Sequence, residues 1–170
     1  MSRVAIVPGC RSSPAAEVGD RLVINARTRG RWKACPDCGT RSSRVHSYYQ
    51  RRADDLPVNG ERVELPITMR RFRCLNRRCS RRTFVEDLPS LLRRHARRTV
   101  RLQGVQAAVG AALGGEATSR LLPELRMPVS ADTVLRDVRR LEPGVRPAPR
   151  VLGVDDWALR KGRTYGTILV

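Results

Sequence analysis

The side chains best spaced to do chemistry together are four thiols. Cys35-Pro36-Asp37-Cys38-Gly39 holds two cysteines with two residues between them, and Cys74-Leu75-Asn76-Arg77-Arg78-Cys79 holds two more with four between. A tight turn under each pair aims two sulfurs at one point, and two such turns complete a tetrahedron. Zn²⁺ in a closed structural site asks for that arrangement, with four thiolates and no open position for a substrate. Gly39, directly after Cys38, lets the backbone curl so that N–H groups face the sulfurs. Two disulfides are the rival reading and need an oxidising compartment. The apolar run Val4 to Val7 is too short for a secretory signal, so zinc is preferred. A chelator is then expected to unfold the chain up to about Asp87. Cys10 has no partner at ligand spacing and reads as a bystander thiol. His46 and His95 have no cysteine or carboxylate at informative spacing either.

The second chemistry is electrostatic. The chain has 34 Lys and Arg against 16 Asp and Glu, a formal net charge of +18, and only Lys33 and Lys161 are lysine. So heavy an arginine excess points to a polyanion, nucleic acid before membrane. Twenty of the basic residues and seven of the acidic ones lie between Arg27 and Arg98, so most of the excess surrounds the cysteine module. Arg70, Arg71, Arg73, Arg77, Arg78, Arg81 and Arg82, on both sides of the second cysteine pair, are the candidates for phosphate contact. No run of eighteen apolar residues is present, so nothing is expected to span a membrane. Aromatic residues make up 4% of the chain; a core that modest gains from a metal.

The elements that must position these groups read as follows. Leu22-Val23-Ile24 suits a short buried strand, and Trp32 is expected to pack against the metal site. Arg44 to Gln50 suits a strand, with Val45, Tyr48 and Tyr49 as β-formers. Asn59-Gly60 is the strongest hairpin signal in the chain. After it Val63, Leu65, Ile67 and Met69 alternate with Arg62, Glu64, Thr68 and Arg70, which predicts a strand with one buried face. Pro66 cannot donate to a ladder, so its N–H position is expected at a sheet edge. At Arg71 the alternation breaks and Phe72 and Cys74 take the inward register, which a bulge or bend would explain.

From Thr99 the period becomes helical. Leu102, Val105, Val109 and Leu113 predict one buried helix face, ended by Gly114-Gly115. Ala117, Leu121 and Leu125 predict the buried face of a second helix over Glu116 to Leu125. After a turn at Met127-Pro128-Val129, Ser130 reads as the N-cap of a third, with Val134, Leu135, Val138 and Leu141 buried. Two short helices joined by a turn, the second with Thr133, Arg136, Arg139 and Arg140 outward, read as a helix-turn-helix or as an ordinary helical hairpin. In the first case Asp132, Thr133 and Arg136 reach base edges and the later arginines hold phosphate. The Pro-rich stretch 142–150 reads as a linker. Beyond it Val151 to Asp155 predicts an apolar strand ending on an acid, and Tyr165 to Val170 a second strand.

These segments, in this order, resemble the bacterial insertion-sequence transposases of the IS-L-three type. The resemblance covers roughly residues 18–170. It is carried by Cys35-Pro-Asp-Cys-Gly39, Arg71-Phe-Arg-Cys-Leu-Asn-Arg-Arg-Cys79 running on to Thr83-Phe84-Val85-Glu86, Gly114-Gly-Glu-Ala117, Met127-Pro-Val-Ser-Ala-Asp-Thr133 and Val151-Leu-Gly-Val-Asp-Asp-Trp-Ala-Leu-Arg-Lys-Gly162. It implies an α+β chain: an N-terminal strand and zinc-ribbon-like module with structural Zn²⁺ over 1–90, a helix-turn-helix over 91–141, and the start of an RNase H-like domain over 151–170. The implied partner is double-stranded DNA at the element's terminal inverted repeats, in the bacterial cytoplasm at the nucleoid, with a homo-oligomer allowed. Asp155 matches the first acid of the family's Asp-Asp-Glu triad, which uses Mg²⁺ in the full-length enzyme. The sequence ends before the other two acids, so binding without cleavage is expected. Pro123 falls inside the second expected helix, and Arg126 stands where the family usually has glycine. The resemblance thus implies a transposase N-terminal fragment. An autonomous zinc-containing helix-turn-helix regulator is the alternative, and an RNA-binding zinc ribbon is disfavoured by the helical part.

Overall fold

The computed structural model describes residues 7–142, 153–160 and 162–169. The chain is built on a long hairpin, β7 (Val45–Val58) and β8 (Glu61–Arg73), closed by Asn59 and Gly60 at φ of 53° and 79°. Positive φ at both turn residues is what a two-residue hairpin needs to match strand twist. β8 is the hub of a seven-stranded sheet. One side of it pairs with β7, and the other is shared in succession by β3 (Arg21–Val23), β4 (Ala26–Thr28) and β9 (Thr83–Val85). β1 (Cys10–Ser12) extends the sheet beside β4, and β2 (Ala16–Val18) beside β3.

The expected alternation on β8 holds: Val63, Leu65, Ile67 and Met69 are buried. They meet Ile24, Ala26, Ala53 and the capping segment Leu88, Leu91 and Leu92, with Cys10 inside this core as a bystander. Burial pushes the Cys10 thiol above its usual range. Pro66, expected at an edge, is instead buried in the central strand. Glu64 pairs with the end of β3 and Ile67 with the start of β4, so Pro66 stands where one partner strand gives way to the next. No ladder bond is lost there. The register slip expected near Arg71 lies in the partner strand: β7 shifts between Val45 and Ser47, opposite Phe72 and Arg71, making His46 the extra residue. Phe72 then joins a second core, beneath the cysteines.

Three helices follow, α1 (Val100–Leu113), α2 (Gly115–Leu121) and α3 (Ala131–Val138). Thr99 caps α1, its Oγ1 accepting from the Leu102 N–H at 3.2 Å. The unit is tied to the sheet by the edge of β7: the Asp54 N–H donates to Arg97 O and the Thr99 N–H to Asp54 O, each at 2.9 Å. The Asp55 carboxylate, 1% exposed, accepts from Thr99 Oγ1 and from Arg101 Nε at 2.7 Å each.

The helical faces differ from expectation. α1 buries Leu102, Gln103, Gln106, Ala107 and Gly110, whereas Val105 and Leu113 are exposed. Gln106 is fully buried because its amide donates to Met127 O at 3.2 Å. In α2 and its exit the buried residues are Gly115, Thr118 and Leu122, not Leu121 or Leu125; in α3 Val134 is buried but Leu135 and the nearby Leu141 are exposed. Close approach explains the rotation. A Cβ on Gly110 would lie 2.2 Å from Val134 Cγ1, and one on Gly115 2.9 Å from Leu135 Cγ, so the helices meet at glycine rather than at a leucine stripe.

Two alanine substitutions separate these arrangements. Gly104 has open space around it, so Gly104→Ala should stabilise the chain by about 0.8–1 kcal/mol through helix propensity. Gly110→Ala should cost about 1–3 kcal/mol by overpacking. Urea midpoints of the two variants moving the same way would contradict the packing.

Pro123, expected inside the second helix, lies past its end, because α2 stops at Leu121 with Leu122 as C-cap. No helix bond is broken by it. Arg126 does occupy a left-handed position, φ 59°, the conformation glycine accepts without strain. Ser130 sits at the N-cap of α3 but makes no capping bond; its hydroxyl donates to Thr133 Oγ1 at 2.8 Å. The linker 142–150 lies outside the described residues except for Glu142. Beyond it β10 (Val154–Arg160) and β11 (Thr164–Leu169) form an antiparallel hairpin. Asp155 is the second residue of β10, not the last of its strand as expected.

Candidate metal centre and nucleic-acid interface

The first cysteine pair sits on a small hairpin, β5 (Lys33–Ala34) with β6 (Arg41–Ser42). Gly39, at φ 70°, donates its N–H to Cys35 O at 2.9 Å, and the Cys35 N–H donates to Thr40 O at 3.0 Å. This closes a turn that brings Cys38 back toward Cys35. The second pair is closed by the Cys79 N–H on Asn76 O at 3.1 Å and the Arg78 N–H on Asn76 Oδ1 at 2.9 Å. Asn76 thus organises a turn with four residues between its thiols. The Cys74 N–H reaches Arg82 O at 2.9 Å, which anchors the exit.

All four Sγ atoms lie within 4.8 Å of one another, and those of Cys38 and Cys74 are 3.6 Å apart. Tetrahedral Zn–S bonds of about 2.3 Å put sulfurs about 3.8 Å apart, so the donor set fits Zn²⁺ and no disulfide is formed. Cys35 and Cys79 are buried while Cys38 and Cys74 are partly exposed. Phe72 and Phe84, stacked at 5.8 Å, form the apolar floor. The Thr40 hydroxyl and N–H bring the Cys38 thiol down to about 6. Burial, together with hydrogen bonds from the neighbouring sulfurs, pushes Cys74 up to about 12. Four thiols so close do not all ionise without a cation to share, which is the charge a bound Zn²⁺ supplies.

One clasp joins the two turns and had no signal in the sequence. Arg81 Nε donates to Asp37 Oδ2 at 2.7 Å, with both side chains about two-fifths exposed. These residues are far apart in the chain, so only the folded ribbon pairs them.

The candidate phosphate ligands divide. Arg71, Arg73, Arg77, Arg78, Arg81 and Arg82 are exposed, the last four gathered at the second turn. Arg70, expected to contact phosphate, is instead held by the protein itself. Its side chain is 13% exposed and donates to Glu86 at 2.9 Å, Gly30 O at 2.7 Å and Arg29 O at 3.1 Å. It is a fixed part of the scaffold, holding the fully buried Glu86 carboxylate. On α3, Arg136 and Arg139 are exposed and Thr133 half-buried, whereas Arg140 leans on Asp137 at 3.3 Å. Asp137 also pairs with Arg98 at 2.8 Å. Trp32 does not pack on the metal site as expected. It is 46% exposed, with the Arg41 guanidinium 4.1 Å from its ring centroid.

Asp155 is exposed, and its Oδ1 accepts from the Asp156 N–H at 2.8 Å. Adjacent strand positions point to opposite faces, so these two carboxylates do not form a paired site. No helix among the described residues is long and apolar enough to cross a membrane. No curated protein and no solved structure matches the chain. A family model does match over residues 32–84, the stretch that contains all four ligands: it describes the zinc finger of the transposases IS204, IS1001, IS1096 and IS1165, and this part of the chain is similar to that zinc ribbon.

Proposed function

We propose that this chain is the DNA-gripping part of an insertion-sequence transposase, in which a zinc ribbon and a helix-turn-helix hold the duplex at the element's terminal inverted repeats. The observation that carries the reading is the four-thiol cluster inside the stretch similar to a transposase zinc finger. The exposed arginines at the second cysteine turn supply phosphate contacts, and α2 with α3 supplies the reading head. Thr133 and Arg136 face base edges, with Arg139 and Arg140 along the backbone. Val45 near the ribbon and Asp54 beside α1 are nine residues apart on β7, about 30 Å at strand rise. That is close to one turn of B-DNA, the separation the reading requires of two surfaces on one duplex. The segment 151–170 is the start of an RNase H-like domain in this reading, and Asp155 its first metal-binding carboxylate. Strand cleavage needs further carboxylates around two Mg²⁺ ions.

Two variants test the division of labour by anisotropy on labelled duplexes. Arg136→Ala should lose about 1–3 kcal/mol of preference for the cognate repeat, while Arg77→Ala should weaken all duplexes alike and lower the salt slope by about 1. Affinity independent of salt, or equal losses on every sequence in both variants, would contradict the assignment.

A further inference from the structure

We propose that the open face of the seven-stranded sheet is a track for single-stranded DNA, with bases stacked on Tyr48 and Trp32. The proposal rests on the nucleic-acid reading above and adds a second form of the polymer to it. One face of the sheet carries the larger apolar core; the other is polar, covered over Pro66 and Arg70 but open along β7. There, alternate residues Tyr48, Gln50 and Arg52 share that face. Tyr48 is 59% exposed and the Arg52 side chain 73% exposed. Arg27 of β4 holds its guanidinium 5.7 Å from the Tyr48 ring centroid. At one end the face hollows into a groove of about 420 Å³, bounded by Val18, Asn25, Gln50, Arg52, Glu64 and Pro66.

At the other end the track turns toward the zinc ribbon. Arg70, cross-strand from Tyr48, donates to Gly30 O and so draws the segment leading to Trp32 across the sheet. Two Cα steps put Trp32 within about 8 Å of Gly30. There the second half-exposed ring lies against its own arginine, Arg41. Arg21 is held by Asp20 and Glu64, but Arg27, Arg29 and Arg31 are exposed, Lys33 is half-buried, and no acidic residue lies among them, which leaves positive charge to follow a phosphate backbone.

A duplex hides the faces of its bases in the stack and offers only edges and phosphates. Exposed rings on a strand face have nothing to stack on there, whereas a single strand presents a π-face at every base. Arginine beside each ring adds cation–π attraction and backbone charge. The arrangement therefore selects unpaired DNA, as at a frayed or opened duplex end.

The test uses the full zinc-loaded chain with labelled oligo-dT and a labelled duplex at one salt concentration. Trp32→Ala and Tyr48→Ala should each weaken oligo-dT binding by about tenfold and duplex binding by less than about twofold. Tyr48→Phe, which keeps the ring, should retain the affinity. Arg136→Ala should show the reverse selectivity. In a Trp157→Phe background, Trp32 is the one remaining tryptophan, and oligo-dT should quench its emission. Duplex binding without oligo-dT binding, or equal losses on both forms in the ring variants, overturns the track alone. Failure to bind either form overturns the nucleic-acid reading with it.

Discussion

Removing the metal should melt the ribbon and leave the sheet standing. Structural Zn²⁺ sites of this type contribute roughly 10–16 kcal/mol of apparent binding energy, as large as the whole stability of an ordinary domain. The turns at 35–39 and 74–79 have little else: the core beneath them is Phe72 and Phe84 with the cysteines themselves. The larger core, where Leu65, Ile67 and Met69 meet Leu91 and Leu92, holds no ligand. A chelator at neutral pH should therefore abolish amide protection at the cysteine turns and in β9 while β8 stays protected from Val63 to Met69. This is narrower than unfolding everything up to Asp87, because two separate cores stand where the sequence suggested one module. Acid should mimic the chelator. Cys38, brought down to about 6 by Thr40, and the higher Cys74 must both lose protons to bind metal. Affinity for zinc should fall as pH drops. Loss of β8 protection on chelation, or full protection of the turns after it, would contradict the two-core arrangement.

The second large effect is at the joint between sheet and helices. Asp55→Ala removes the carboxylate that Thr99 and Arg101 share. Breaking a buried ion pair costs about 3–5 kcal/mol, and Arg101, with its side chain 45% exposed, regains water and keeps the loss near about 3. For a chain of this size that lowers Tm by about 6–12 °C. Burial alone would raise the Asp55 pKa, but the Arg101 and Thr99 hydrogen bonds outweigh it and hold the carboxyl below its ordinary range. Its folded pKa is thus below its unfolded one, so the contribution is complete above about pH 4 and is lost as pH falls toward the folded value. Asp55→Ala should accordingly flatten the acid limb of stability below about pH 4. An unchanged limb would show that another group governs it.

Geometry that is set within a short stretch is legible in the sequence. The cysteine spacings, Asn59-Gly60 and the alternation from Val63 to Met69 each state their geometry within a few residues. Arg126 stands at positive φ, the conformation suited to the glycine that the family usually has there. The helical faces are not legible in the sequence because α1 packs through Gly110 and two glutamines. Apolar periodicity singles out Val105 and Leu113, which face outward. Arg70 looked like its basic neighbours, and only the fold shows that Glu86 and two carbonyls hold it. Trp32 is near the ligands in sequence, yet Phe72 and Phe84, drawn from the far strands, fill the floor of the metal site. Each miss involves partners distant in the chain, where pattern carries no information on pairing.

Metal content of the purified full chain bears most directly on the ribbon and on everything built upon it. Elemental analysis should find one zinc per chain, lost when Cys35 and Cys79 are both changed to serine, and Co²⁺ in its place should show the visible absorption of a tetrahedral tetrathiolate. A chain that carries no metal, or holds Cys38 and Cys74 as a disulfide while its turns stay protected, would contradict it.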